Sequence, residues 1–314
     1  MDICRRVLIV FPVLLAFLLF IAVNMFGQVR GVYSPGSTLT GGGTVDTSGL
    51  SYSNQLWYGA SSQLKGPQGN TLPLPASLSI WIDNNTLAYV PRFKLLGANL
   101  EFTVDLAFSN DRFFGPALLS AGSSGRVPAA GLTNTNFVPF DLGWHFKWAD
   151  LQTGYSVTAP TGRYVPGSLS NVSNGFWTNA WQAGTTIYLT KSKATQISVF
   201  NTYAWNTTQR GTGIHPGQND SVDYSLSQTF SLSKGGKWSL LVGAAGYGQW
   251  QTTRNRGQNP VREALEYGVD AAGFTLNLSS PFKGFHLATS VLWEYAARNT
   301  FQGRTMSVTD GFQF

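Results

Sequence analysis

The sequence predicts an all-β protein, a transmembrane antiparallel up-and-down β-barrel of about 12 strands. Three observations predict it. Apolar and polar residues alternate singly along a dozen segments, which is the period of a strand. Tight turns and longer polar links alternate between those segments, as they do on the two rims of an outer-membrane barrel. Finally, 11% of the 314 residues are charged and 14% aromatic, against about 25% charged in ordinary globular chains. A barrel wall with lipid on one side and water on the other has that composition.

In chain order, residues 1–27 read as a signal peptide. Arg5 and Arg6 precede the apolar run VLIVFPVLLAFLLFIAV, an n-region followed by an h-region. The run is long and lacks an Ala-x-Ala site, so an uncleaved anchor is the competing reading; cleavage is expected near Gly27 or Gly31. No later stretch holds 18 consecutive apolar residues, so a membrane-embedded mature chain must cross as strands. Cys4 is the single cysteine and precedes the apolar run, which leaves the mature chain without disulfides or thiol chemistry. A net charge of +6 without a Lys/Arg run argues against nucleic acid as a partner.

Residues 28–49, with GVYSPG and LTGGGT, carry no sustained period and read as an irregular segment that could fold inward as a plug. The barrel is assigned to residues 50–314. Its segments are 50–64, 78–93, 98–109, 137–148, 151–160, 176–189, 194–205, 221–232, 237–250, 264–278, 284–295 and 301–314, each long enough for a tilted spanning strand of about 9 to 11 residues. LLG (95–97), AD (149–150), TKSK (190–193), SKGG (233–236) and SPFK (280–283) are the tight turns. The longer links include 110–136, 161–175, 206–220 and 251–263; the first of these is a second candidate plug.

The third segment, NLEFTVDLAFSN, sets Leu100, Phe102, Val104, Leu106 and Phe108 against Glu101, Thr103, Asp105, Ala107 and Ser109. In the fourth, Val138, Phe140, Leu142, Trp144 and Phe146 oppose Asp141, His145 and Lys147. The eighth opposes Val222, Tyr224, Leu226 and Phe230 to Asp223, Ser225 and Ser227, with Gln228 interrupting the apolar row. In the tenth, Glu266 and Asp270 share parity with Phe274, Leu276 and Leu278, so a bulge near Gly273 is expected to turn the acids inward. The eleventh opposes Leu287, Val291 and Trp293 to His286, Ser290 and Glu294. The last ends in TDGFQF, a C-terminal aromatic that suits the outer-membrane assembly machinery. Met306, Val308 and Phe312 face lipid there, and Asp310 falls among them unless a bulge at Gly311 or a low position rescues it. Aromatic rings gather near both ends of the segments, as interfacial girdles do.

By parity the lumen-lining candidates are Arg92, Glu101, Asp105, Asp141, His145, Lys147, Asp223, Glu266, Asp270, His286 and Glu294, with Lys94 nearby. Acids outnumber bases, and such walls favour neutral solutes or cations over organic anions; alternatively, the charges pair and fill the barrel. The turns offer Lys191, Lys193, Lys234 and Lys283. The long links carry Arg112, Arg126, Arg262 and Arg298, together with Arg163, Arg210, Arg254 and Arg256, the candidates for lipopolysaccharide contact through bidentate phosphate pairing. Solvated loop charge explains them equally well. Catalysis finds little support. Ser290, His286 and Glu294 lie on one strand, whereas triads draw on separate elements. His145, His215 and His286 lack metal spacing, and GGGT lacks the lysine of a nucleotide loop. No metal, cofactor or catalytic residue is expected, and the oligomeric state stays open.

Several stretches together resemble a known family. YSPG (33–36), DLGWH (141–145), VTAPTGRY (157–164), GFWT (175–178), YLT (188–190), HPGQ (215–218) and RNTFQG (298–303) resemble, in order, the outer-membrane transporter family labelled as the meta-pathway of phenol degradation. The resemblance implies a bacterial outer-membrane barrel that takes up small aromatic or other hydrophobic compounds passively, and it supplies no catalytic residue. Two rivals stand beside that expectation: a barrel that transports nothing and holds lipopolysaccharide or another surface partner, and a lipid-modifying enzyme.

Overall fold

The computed structural model describes residues 30–314 except 74, 116–125, 169, 234–236 and 258–265. The expected signal peptide, Lys234 and Arg262 lie outside the described residues. Twelve antiparallel strands form the wall: β1 (Gly49–Leu64), β2 (Ser77–Val90), β3 (Ala98–Phe114), β4 (Arg126–His145), β5 (Ala149–Ala159), β6 (Thr178–Tyr188), β7 (Thr195–Asn206), β8 (Asn219–Ser231), β9 (Ser239–Gln251), β10 (Gly268–Ser279), β11 (His286–Arg298) and β12 (Phe301–Gln313). Each pairs with its sequence neighbours, and β1 pairs with β12 from Ser51↔Gln313 to Leu64↔Phe301, which closes the sheet. Closure is what a membrane demands, because an open edge would leave backbone donors and acceptors facing hydrocarbon. The fold is a 12-stranded up-and-down barrel.

Outward side chains form an apolar belt including Leu56, Phe102, Val104, Leu106, Leu226, Phe230, Phe274 and Val308, all exposed. Inward positions such as Ser198, Asp223, Ser225 and Thr275 are buried and polar. Among the described residues no helix is long and apolar enough to cross a membrane; the strands make the crossing.

The structure redraws several local expectations. The 110–136 link is shorter than its composition suggests, because β3 runs to Phe114 and β4 starts at Arg126; alternation continues there, with Asp111 lining the lumen. Only 115–125 connects these strands, so most of that candidate plug is wall. Short and long links do not alternate throughout, because β11 and β12 are joined at the long-loop end by Asn299 and Thr300 alone, with Asn299 at a φ of 51°. The AD pair is not a turn: Ala149 and Asp150 open β5.

Bulges also differ from expectation. β10 keeps one parity, with Val269, Ala271 and Thr275 buried and Phe274 and Leu276 exposed. Its register shift falls between Asp270 and Ala271, where Tyr295 is the extra residue on β11. The surplus residue sits on the partner strand, so Asp270 stays on the outward face beside Arg298 and Trp250. Gly311 carries no bulge, since β12 pairs continuously with β1 from residue 303 to 313; Asp310 keeps its outward parity. In β4 the pairing with β5 jumps between Phe137 and Phe140. Pro139, which cannot donate to the ladder, lies in that break, and Val138 and Asp141 consequently share the lumen.

Strand β2 inverts the expected partition over part of its length. Leu78, Ile80 and Ile82 line the lumen, which places Asp83 and Asn85 outside. The Asn54 amide donates to Asp83 Oδ1 at 2.6 Å, the Asn85 amide reaches the same atom at 3.1 Å, and Tyr52 Oη–H donates to Asn85 at 2.7 Å. A polar cluster thus interrupts the lipid-facing belt, and its members satisfy one another.

Candidate functional site

The lumen is the functional site, and much of it is occupied by the chain's own residues 30–48. This segment enters at the long-loop end. Arg30 pairs there with Glu294 at 2.8 Å and donates to Thr300 Oγ1 at 3.1 Å and to the Phe301 carbonyl. The Gly31 N–H donates to Tyr267 Oη at 2.6 Å. One turn inward, Asp223 accepts three hydrogen bonds from the segment: Tyr33 Oη–H at 2.7 Å, and the Gly36 and Thr38 N–H groups at 2.9 Å each. A carboxylate holding two backbone N–H groups and a phenol is a strong anchor, because charge-assisted bonds are about twice as strong as neutral ones. Burial, followed by the neighbouring Asp223, pushes the Tyr33 phenol well above its usual pKa, so it stays a donor.

The segment then crosses the inner wall strand by strand. Ser225 Oγ–H donates to the Leu39 carbonyl, the Gly42 N–H to Ser198 Oγ at 2.7 Å, and the Gly43 N–H to Thr186 Oγ1 at 3.1 Å. Thr44 reaches Asp150 at 3.1 Å, and Asn99 and Gln313 donate to the carbonyls of Asp46 and Thr47 at 2.9 Å each, at the short-turn end. Leu39 packs into a buried apolar cluster with Tyr247, Val269, Ala271 and Leu292.

Close approach explains the glycines. A Cβ on Gly184 would stand 1.5 Å from the Gly42 carbonyl oxygen, and one on Gly43 would stand 2.3 Å from the Asp150 carbonyl oxygen. At the other strand pair, a Cβ on Gly143 would meet Val45 Cβ at 2.4 Å. LTGGGT is therefore a run of backbone laid flat against the wall, and the glycine of DLGWH is the wall's matching recess.

Beside the inserted segment a cavity of about 590 Å³ remains, lined from β1 round to β7. Its apolar wall is Trp57, Leu78, Ile80, Ile82 and Val138; its polar wall carries Glu101, Asp105, Asp111 and Asp141. The Trp57 indole N–H donates to the Pro35 carbonyl at 3.3 Å, which joins this wall to the inserted segment. Asp105 accepts from Thr86 at 2.6 Å and from Asn136 at 2.8 Å, and Asp141 accepts from Gln152 at 2.6 Å.

With that geometry in view, the family model described as "Putative MetA-pathway of phenol degradation" matches residues 61–309. The chain belongs to that family. No curated protein matches the sequence. Among solved structures, the COG4313 outer membrane channel from Pseudomonas putida F1 is similar with a TM-score of 0.68 at 15% identity, over 90% of this chain and 100% of that one. The β domain of the Bordetella autotransporter BrkA follows at a TM-score of 0.51 and 10% identity, over 86% and 100%. The translocator domain of NalP from Neisseria meningitidis also gives 0.51 and 10%, over 88% and 92%. These likenesses are of fold, and the fold is that of a bacterial outer-membrane barrel.

The expected lumen residues divide into three groups within this family member. Glu101, Asp105, Asp141, Asp223 and Glu294 all point inward, but Asp223 binds the inserted segment rather than the open cavity, and Glu294 borders the cavity while holding Arg30 of that segment. His145 and His286 sit at the short-turn rim: His145 Nδ1 lies 3.3 Å from Asp150, and the His286 ring lies over Gly311, whose Cβ it would touch at 2.2 Å. Arg92 and Lys147 are corrections. Both are exposed in turns between strands, as is Lys94 in a two-residue extension of the β2–β3 link, because β2 and β4 end at Val90 and His145, three residues before the alternation does. Arg92 also breaks the expected sorting of lysine to turns and arginine to loops. Glu266 and Asp270 are the other corrections: Glu266 pairs with Arg254 at 3.3 Å beside the long loops, and Asp270 faces outward.

Asp150 and Tyr188 were missed as lumen residues. The Tyr188 Oη–H donates to Asp150 Oδ2 at 2.6 Å, and Lys193 lies 3.8 Å from the other oxygen. Tyr188 shares the even parity of the buried Thr186, but a tyrosine beside a turn matches the pattern of an interfacial ring equally well. Leu78, Ile80 and Ile82 were missed because apolar residues in alternation read as lipid-facing.

The residues considered for hydrolysis have other partners. Ser290 Oγ bonds Ser307 Oγ at 2.8 Å, and the Glu294 carboxylate is held by Arg30, by Tyr247 Oη–H at 2.9 Å and by the Gly303 N–H at 2.6 Å. Of the arginines proposed for lipopolysaccharide, Arg163 donates to the Ser170 carbonyl at 2.6 Å and Arg210 to the Tyr164 carbonyl at 3.2 Å, stacked 5.8 Å above that ring. Arg254 is paired with Glu266, and Arg256 is exposed in a two-residue ladder with His215.

Proposed function

We propose that this protein is a passive outer-membrane channel for small, uncharged hydrophobic or aromatic compounds. One observation carries the reading: the unfilled side of the lumen sets Trp57, Leu78, Ile80 and Ile82 against the carboxylates of Glu101, Asp105 and Asp141. An apolar strip beside water-binding groups suits a solute with an apolar body and at most one polar tip, and an acidic wall disfavours organic anions. The name of the family and the COG4313 channel likeness support the same reading. The test is uptake of labelled phenol against labelled benzoate by cells making this barrel or an unrelated one. Phenol should enter faster with this barrel, benzoate should not, and Ile80→Arg should abolish the difference; equal phenol uptake with both barrels would end the proposal.

A second reading is favoured by residues 30–48: a barrel whose lumen is tied shut and whose surface binds lipopolysaccharide or a protein. Planar-bilayer recordings separate the two, because that reading requires no conductance from the wild type. A lipid-modifying activity would show as fatty-acid release from labelled lipid, and the present reading expects none.

A further inference from the structure

We infer that the outward wall of β12, β1, β2 and β3 carries a phosphate-binding recess for a phosphorylated glycolipid of the outer leaflet, gripped by Arg112 and Arg304. The two arginines lie in one lateral row. Arg304 pairs with Ala60, Ala60 with Ser79, and Ser79 with Arg112. All four share the parity of outward residues such as Met306 and Phe108. Three inter-strand spacings separate the arginine backbones by roughly 14 Å, and the floor between them is made of the two smallest side chains in the row. A recess of about 690 Å³ opens there, bordered by Arg112, Arg304, Ser62, Ser77, Ser79 and Trp293. Ser62 is the surplus residue of a bulge in the β1–β12 pairing, which adds a hydroxyl that a regular ladder would not present.

Three features point to a lipid phosphate. Among the described residues no carboxylate borders the recess and neither guanidinium has a hydrogen-bond or ion-pair partner, whereas Arg163, Arg210 and Arg254 are engaged within the loops. Arg304 lies three residues from the long-loop end of β12 and Arg112 two residues from that of β3, the level of the outer headgroups when long loops face outward. Trp293, directly opposite Arg304, is an interfacial ring suited to the acyl–headgroup boundary. A planar guanidinium pairs bidentately with phosphate, and a ligand reaching this spot from the side of the wall must bring its own apolar body.

The test uses the full-length protein in phosphatidylcholine nanodiscs and titrates bisphosphorylated lipid A, dephosphorylated lipid A and inorganic phosphate, read by native mass spectrometry. The wild type should bind bisphosphorylated lipid A at least about tenfold more tightly than the double variant Arg112→Ala/Arg304→Ala, with the double lysine variant between them. Dephosphorylated lipid A should bind the wild type no better than the double alanine variant. Heat-modifiable migration on gels identifies folded variants, and Arg163→Ala/Arg210→Ala is the control expected to bind normally. Equal binding by the double alanine variant, loss of binding in the control alone, or displacement of lipid A by millimolar inorganic phosphate would each overturn the assignment.

Discussion

Gly184 shows how one missing carbon can organise a lumen. Its bare backbone lets the Gly42 carbonyl sit where a Cβ would be 1.5 Å away, so Gly184→Ala must expel residues 41–43 from the wall while leaving the β6 ladder unchanged. The expected result is a folded barrel in which a cysteine at position 42 becomes reactive to a water-soluble thiol reagent; unchanged protection would contradict it. On the outer face, Asn54 and Asp83 make a different residue-scale case. Asn54→Ala removes the 2.6 Å donor of a carboxylate placed toward lipid and should cost about 1–3 kcal/mol in urea unfolding from detergent. Replacing both residues by leucine should recover most of that loss, since an apolar pair asks for no donor. Neither feature is legible in a one-dimensional pattern. A glycine in a strand reads only as a weak strand residue, and β2 reads equally well in either orientation because apolar residues occupy both of its parities.

At the scale of the element, the inserted segment is held by its contacts rather than by any regular structure of its own. Asp223 is its main anchor, with bonds to Tyr33, Gly36 and Thr38. Asp223→Ala should leave β8 intact, because its backbone ladder to β7 and β9 does not involve the side chain. The variant should raise single-channel conductance several-fold in planar bilayers. Conductance equal to wild type would show that residues 30–48 do not limit passage. The irregular composition of 28–49 was readable, as was its candidacy as a plug. Its path was not, because apart from Trp57 and Asn99 its hydrogen-bond partners lie roughly a hundred residues or more away in sequence, and nothing local to YSPG or LTGGGT names Asp223 or Gly184 as the other half of the contact.

For the whole molecule, the cylinder sorts charge between two solvents with an acidic excess inside. Glu101, Asp105, Asp111 and Asp141 face the cavity, and Arg30 borders it at its upper end. Any ionic leak should therefore favour cations, visible as a reversal potential toward the potassium value in a salt gradient; the triple variant Glu101→Gln/Asp105→Asn/Asp141→Asn should shift it toward zero. Anion selectivity in the wild type would refute the charge assignment. Strand number, antiparallel order and the lipid-facing belt were all readable because a pleated backbone sends successive side chains to opposite faces, a rule that acts within each strand. Position along that rule was harder. The surplus residue at Tyr295, the jump around Pro139 and the unbulged Gly311 decide which side Asp270, Val138 and Asp310 occupy, and each depends on how two strands count against each other. That count exists only when the cylinder has closed and every ladder is in register, just as the occupant of the lumen is chosen only when Arg30 and Glu294, far apart along the chain, stand on the same inner wall.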